Sequence, residues 1–115
     1  MITIIVCGGR GFKDRERVFS VLDHIHARRG VVKLIHGNAS GADKLSGEWA
    51  KSKGIVVVPC QADWKGLGRR AGPVRNKLMA TLGADGVVAF PGGDGTADMC
   101  RQAEAAGIPV MVISA

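Results

Sequence analysis

The sequence predicts one doubly wound α/β domain, with five parallel strands in the order 3-2-1-4-5 and helices on both faces. Three observations lead there. Five short apolar runs alternate with four helical patterns of roughly 10 to 16 residues, and near-continuous apolar runs suit strands covered on both sides. Right-handed crossovers wind such a chain into an open sheet. The glycines are also unevenly placed: the exits of predicted strands one, two and four carry several each, whereas the opposite turns at Gly30, Gly54, Gly83 and Gly107 carry single helix-stopping residues. A chain of 115 residues makes one core, so residues 1–115 are read as a single domain.

The first strand is Ile2–Cys7, leaving through Gly8-Gly9-Arg10-Gly11-Phe12. Asp14 suits an N-cap, and Val18, Val21, Leu22 and Ile25 recur at helical spacing until Gly30. Val31–His36 is the second strand, with the exit Gly37-Asn38-Ala39-Ser40-Gly41-Ala42-Asp43. The next helix buries Ala42, Leu45, Trp49 and Ala50 and stops at Gly54. Ile55–Cys60 is the third strand, and 61–72 reads as a polar, basic loop. Pro73, at home in a first helical turn, opens a helix whose apolar positions are Val74, Leu78 and Leu82, closed by Gly83. Gly86–Phe90 is the fourth strand and breaks at Pro91 into Gly92-Gly93-Asp94-Gly95. The last helix starts at about Thr96 and ends at Gly107, before a strand over Pro109–Ile113.

Composition narrows the function. No apolar run approaches the ~20 residues of a membrane helix and no signal peptide is recognisable, so a cytoplasmic location is expected. Three scattered cysteines (Cys7, Cys60, Cys100) without a Cys-x-x-Cys pair speak against a disulfide framework and a zinc site. The net charge of +6 implies anionic partners. It is concentrated at Arg10, Lys13, Arg15 and Arg17, and at Lys65, Arg69, Arg70, Arg75 and Lys77, although solvated basic faces look the same. With three Phe, two Trp and no Tyr, platforms for a long single-stranded nucleic acid are scarce.

Ligands of doubly wound sheets sit beyond the strand C-termini where the strand order reverses, here between strands one and four. That sets Gly8, Gly9 and Arg10 beside Pro91, Gly92, Gly93, Gly95 and Thr96, with Gly37, Gly41 and Asp43 on the flank. Glycines admit close backbone approach, and the helix N-terminus behind them offers free N–H groups to a phosphate. Arg10 suits a phosphate clamp. Arg75 places a cation at a helix start, which hints at an anion there, and Asn76 could read a base or hydroxyl. Asp43 suits a ribose hydroxyl or a metal, or closes a capping box with Ser40. His36 is either an acid–base group or a hydrogen-bonded loop anchor. Asp94 could orient water or a magnesium ion accompanying a nucleotide, and Asp98 reads as a helix cap. Trp64 either stacks on a base or packs its loop. No metal-ligand set is apparent.

Four motifs carry a resemblance: Gly8-Gly9-Arg10; His36-Gly37-x-x-x-Gly41-Ala42-Asp43; Gly72-Pro73-x-Arg75-Asn76-x-x-Met79; and Phe90-Pro91-Gly92-Gly93-x-Gly95-Thr96-Ala97-Asp98-Met99. In this order, over Ile4 to Val112, they resemble the YspA/YpsA-related branch of the SLOG superfamily, a Rossmann-like group that takes in the Lonely Guy phosphoribohydrolases and DNA-processing protein A. The resemblance implies a nucleotide or ADP-ribose-like ligand and pairing of two copies through helices. Lonely Guy enzymes carry Pro-Gly-Gly-x-Gly-Thr-x-x-Glu with an upstream Arg. Here Pro91–Thr96 and Arg75 match, but Met99, which cannot act as a base, stands at the Glu position. Three functions follow in order of preference. The first is a nucleotide-binding or sensing module. The second is a nucleotide hydrolase, acting on a glycosidic or phosphoester bond, with His36, Asp43 or Asp94 as the acid–base group. The third is a small single-stranded nucleic-acid binder.

Overall fold

A computed structural model describes residues 1–114. The strands are β1 (Ile2–Cys7), β2 (Val31–His36), β3 (Val56–Pro59), β4 (Gly86–Ala89) and β5 (Val110–Val112). All pairings are parallel and the order is β3-β2-β1-β4-β5, as expected. The helices are α1 (Arg15–Arg29), α2 (Ala42–Ser52), α3 (Trp64–Leu67), α4 (Ala71–Met79) and α5 (Asp94–Ala105), with a 3-10 turn over Gly68–Arg70 between α3 and α4.

Alternation along β1 splits the core in two. Ile4 and Val6 point to a cluster with Val18, Leu22, Trp49 and Phe90 under α1 and α2. Ile5 and Cys7 point to the other face, with Met79, Met99 and Ala103 under α4 and α5. After β3 the chain crosses to the far side of β1, and this reversal opens the crevice between β1 and β4. All three cysteines are free; Cys7 is buried, and Cys60 and Cys100 pack half-buried around the second cluster.

Asp14 caps α1 as expected, its carboxylate accepting the Arg17 N–H at 3.1 Å. Gly30, Gly54, Gly83 and Gly107 all take positive φ. Other expectations are corrected. The 61–72 segment is no plain loop: the Asp63 carboxylate accepts the Gly66 N–H at 3.0 Å and starts α3, a helix too short to show a hydrophobic period. Helix α4 begins two residues before Pro73, ends at Met79 rather than Gly83, and is turned over. Val74, Leu78 and Leu82 are 52%, 54% and 41% exposed, whereas Ala71, Gly72, Asn76 and Met79 face inward. The apolar stripe misled because the side chain packed inward is Asn76, a polar group whose burial its hydrogen bonds permit. Helix α5 starts at Asp94 with Gly93 as N-cap, so Asp98 lies inside the helix and does not cap it. Nor does Ser40 form a capping box: Gly41 is the N-cap of α2, Asp43 reaches back to the Ala39 N–H at 3.2 Å, and the Ser40 hydroxyl donates to the Arg10 carbonyl at 3.4 Å.

Candidate functional site

The exits of β1 and β4 meet. The Gly9 N–H donates to the Pro91 carbonyl at 2.8 Å. Beside this junction lies a cavity of about 500 Å³, closed by the β2 exit on one flank and by α3, the 3-10 turn and α4 above. It brings together Gly8, Gly9, Arg10, Gly37, Asp43, Arg75, Asn76, Gly93, Asp94, Gly95 and Thr96 from the expected set. Gly41, Pro91, Gly92 and His36 stand outside its lining.

The glycines sort into two kinds. A Cβ on Gly8 would lie 2.6 Å from the Ala42 Cβ, and one on Gly9 would lie 3.1 Å from the Pro91 carbonyl oxygen. On Gly92 it would lie 2.7 Å from the Gly9 nitrogen, and on Gly41 2.6 Å from the Arg10 oxygen. On Gly37 it would meet the Arg75 guanidinium carbon at 2.7 Å. These five let protein segments touch each other rather than admit a ligand. Gly93 and Gly95 differ: nothing lies within 4 Å of a Cβ at either, and both line the cavity. They begin α5, whose N-terminus no side chain caps. Its first N–H groups therefore have no intrahelical partner and present partial positive charge to the cavity.

Arg75 and Asn76 serve the frame as well as the cavity. Arg75 Nη1 donates to the Gly37 carbonyl at 2.6 Å and Nε to Asn76 Oδ1 at 2.9 Å. Asn76 Nδ2 in turn donates to Asp98 Oδ2 at 3.0 Å and the Gly95 carbonyl at 3.2 Å. This strut ties the β2 exit to the first turn of α5. The helix start expected to face an anion thus holds the glycine-rich start of α5 in place.

Asp43 is 5% exposed and on the cavity wall. Burial pushes its carboxyl up to about 6, against the lowering pull of the Ala39 N–H and Arg75. His36 is also 5% exposed, and its Nδ1 accepts the Asn38 N–H at 2.9 Å. Burial, aided by Lys44 and Lys51, lowers its pKa to about 4, so the ring is a neutral loop anchor.

These two shifts act oppositely on stability. The raised Asp43 pKa costs stability as pH rises from 3.8 to about 6; the lowered His36 pKa costs stability as pH falls from 6.5 to about 4. Asp43→Asn is therefore expected to gain stability relative to wild type above pH 6, and His36→Gln relative to wild type below pH 4. Thermal unfolding followed across this range checks both; parallel curves for wild type and Asp43→Asn would contradict the first.

Sequence reasoning left several lining residues out of the site: Cys7 and Met79 on the floor, and Arg69, Asp98 and Arg101 around the mouth. Trp64, weighed between stacking on a base and packing its loop, lines the mouth as well. Asp98 and Arg101 form an i,i+3 pair with Asp98 Oδ1 at 3.7 Å from Arg101 Nη2, a spacing readable once α5 is known to start at Asp94. Met99 is wholly buried in the core, so the Lonely Guy Glu position does not face the cavity here, whereas Asp98 does. Among the described residues no group of three or more His, Cys, Asp or Glu could hold a metal ion. A second groove of about 610 Å³, walled by Ile2, Ile25, Val110 and Met111, lies at the strand entries and has no helix N-terminus pointing into it.

Fold and crevice define a Rossmann-like domain with a glycine-lined cleft at its topological switch point. The chain belongs to the YspA, cpYpsA-related SLOG family, whose profile matches residues 2–66. It is 39% identical to the Gene 61 protein of Mycobacterium phage D29, over 96% of this chain and 95% of that protein. Among solved structures it is similar to TM1055, a structural-genomics target, at a TM-score of 0.77 and 24% identity, over 96% of this chain and 72% of that one. It is also similar to DNA processing protein A from Streptococcus pneumoniae, at a TM-score of 0.81 and 18% identity, over all of this chain and 51% of that one. At these identities the two structures speak for the fold alone. Among the described residues no helix is long and apolar enough to cross a membrane.

Proposed function

We propose that this protein binds a nucleotide or ADP-ribose-type ligand, with a phosphate on the first turn of α5. The observation that carries this reading is the uncapped α5 N-terminus, where Gly93 and Gly95 leave open space on a cavity rimmed by Arg10, Arg69 and Arg101. Membership of a SLOG family agrees with a nucleotide-related role. Magnesium, if it accompanies the nucleotide, would be held by phosphate oxygens with Asp94 at the cavity edge. A cytoplasmic location and a homodimer belong to the same reading. The exposed Val74, Leu78 and Leu82 on and just beyond α4 favour the dimer.

A second reading, nucleotide hydrolysis, is favoured by one observation: Asp43 is a buried carboxyl on the cavity wall, and burial pushes its pKa up to about 6, which suits acid–base work. Incubation with nucleoside monophosphates, NAD and ADP-ribose, with and without Mg²⁺, tests both. Saturable binding without product is the expected result, released base or phosphate establishes the hydrolase, and absence of any binding contradicts both. Binding of single-stranded oligonucleotides that weakens steeply with salt would instead favour a nucleic-acid role.

A further inference from the structure

Trp64 is the one aromatic side chain among the described lining residues of the cavity, and it is 42% exposed. Large indole surfaces are rarely left to water without a partner to meet. Its position is nevertheless well determined. The Asp63 carboxylate caps the four-residue helix that Trp64 opens. The far edge of the indole rests on α4 at Gly72, where a Cβ would lie 3.3 Å from Trp64 Cη2. Any larger residue at 72 would push the ring. Over the indole stands the Arg10 guanidinium, its carbon 5.3 Å from the ring centroid. A planar cation on an indole face occupies the place, and supplies the stacking, that a planar heterocycle takes. The other indole, Trp49, is wholly buried in the opposite half of the core with its Nε1–H on Asp23 Oδ1 at 2.8 Å.

We infer that Trp64 is the base platform of the cavity: the nucleobase of a nucleoside phosphate stacks on the indole face that Arg10 covers, and the displaced guanidinium turns to the phosphate. This rests on the nucleotide reading above and narrows it. The ligand is an intact nucleoside phosphate, not a sugar phosphate or inorganic phosphate, because only a base can use this face. Glycine at 72 and the cap at Asp63 are then the parts that aim the platform. Arg10 links the two subsites, reporting base occupancy to the phosphate end.

Titration of the full chain with AMP and with ribose 5-phosphate, read by calorimetry and by tryptophan emission, tests the inference. In the wild type AMP is expected to bind about tenfold or more tighter than ribose 5-phosphate, the scale of one base–aromatic stack, and to quench emission that Trp49 does not contribute. Trp64→Leu is expected to erase that ratio, chiefly by weakening AMP, in a protein that still unfolds cooperatively. Trp64→Phe should keep most of it. Equal affinity for the two ligands in the wild type, or an unchanged ratio in Trp64→Leu, overturns the base platform while leaving phosphate binding standing. Failure of both ligands to bind the folded wild type overturns the platform and the nucleotide reading together.

Discussion

Gly41→Ala is expected to destabilise the protein by about 3 kcal/mol or more, among the larger losses a single methyl group can cause. The backbone at Gly41 has φ 79° and ψ −131°, a region that residues with a Cβ scarcely enter. The added methyl would also press on the carbonyls of Gly9 and Arg10, so strain and collision add. Neither can relax cheaply. The Gly9 carbonyl already accepts the Ala42 N–H at 3.4 Å, and the Gly9 N–H is held by Pro91. Moving the loop would loosen both junctions around the cavity. Urea unfolding measures the loss, with Gly11→Ala as the neutral control, since Gly11 is exposed with nothing within 4 Å of a Cβ. A Gly41→Ala protein as stable as wild type would mean that the β1 and β2 exits do not touch in solution.

Gly95→Leu is expected to do the reverse, leaving the fold intact while removing ligand binding. No atom lies within 4 Å of a Cβ there and φ is not positive. The residue is in the first turn of α5, where leucine is a better helix former than glycine by up to ~1 kcal/mol. Stability should therefore hold or rise. The side chain would stand in the space assigned to the phosphate. Two charged hydrogen bonds to helix N–H groups at ~1.5 kcal/mol each amount to about a hundredfold in affinity. Paired unfolding and AMP-binding curves check this. Undiminished AMP binding by a folded Gly95→Leu protein would place the ligand elsewhere.

The fold was legible because the apolar runs Ile2–Cys7 and Val31–His36 and the helix stops at Gly30 and Gly54 each depend on local chemistry. The doubly wound class followed from the handedness of the crossovers, while the order 3-2-1-4-5 was an expectation that handedness alone does not fix and the sheet bears out. What escaped depends on contacts between distant segments. The inward face of α4 is set by Asn76 meeting Gly95 and Asp98, nineteen and twenty-two residues away, which no periodicity records. Likewise the glycine motifs pointed to a site, but not to which glycines face it. Gly41 and Gly92 serve the contact of one loop with the next outside the cavity lining, and Gly8 and Gly9 serve such a contact on its wall. Only coordinates separate these from the open positions at Gly93 and Gly95. Asp43 was placed on the correct wall, while its burial, and so its raised pKa, could not be read from its neighbours in the chain.

Backbone amide signals followed by NMR during titration with AMP test the central claim most directly. The account predicts shifts concentrated at Asp94, Gly95 and Thr96 in the first turn of α5 and at Arg10 across the junction. Shifts confined to the groove at the strand entries, around Ile2, Val110 and Met111, or no shifts at saturating AMP and ADP-ribose, would contradict it.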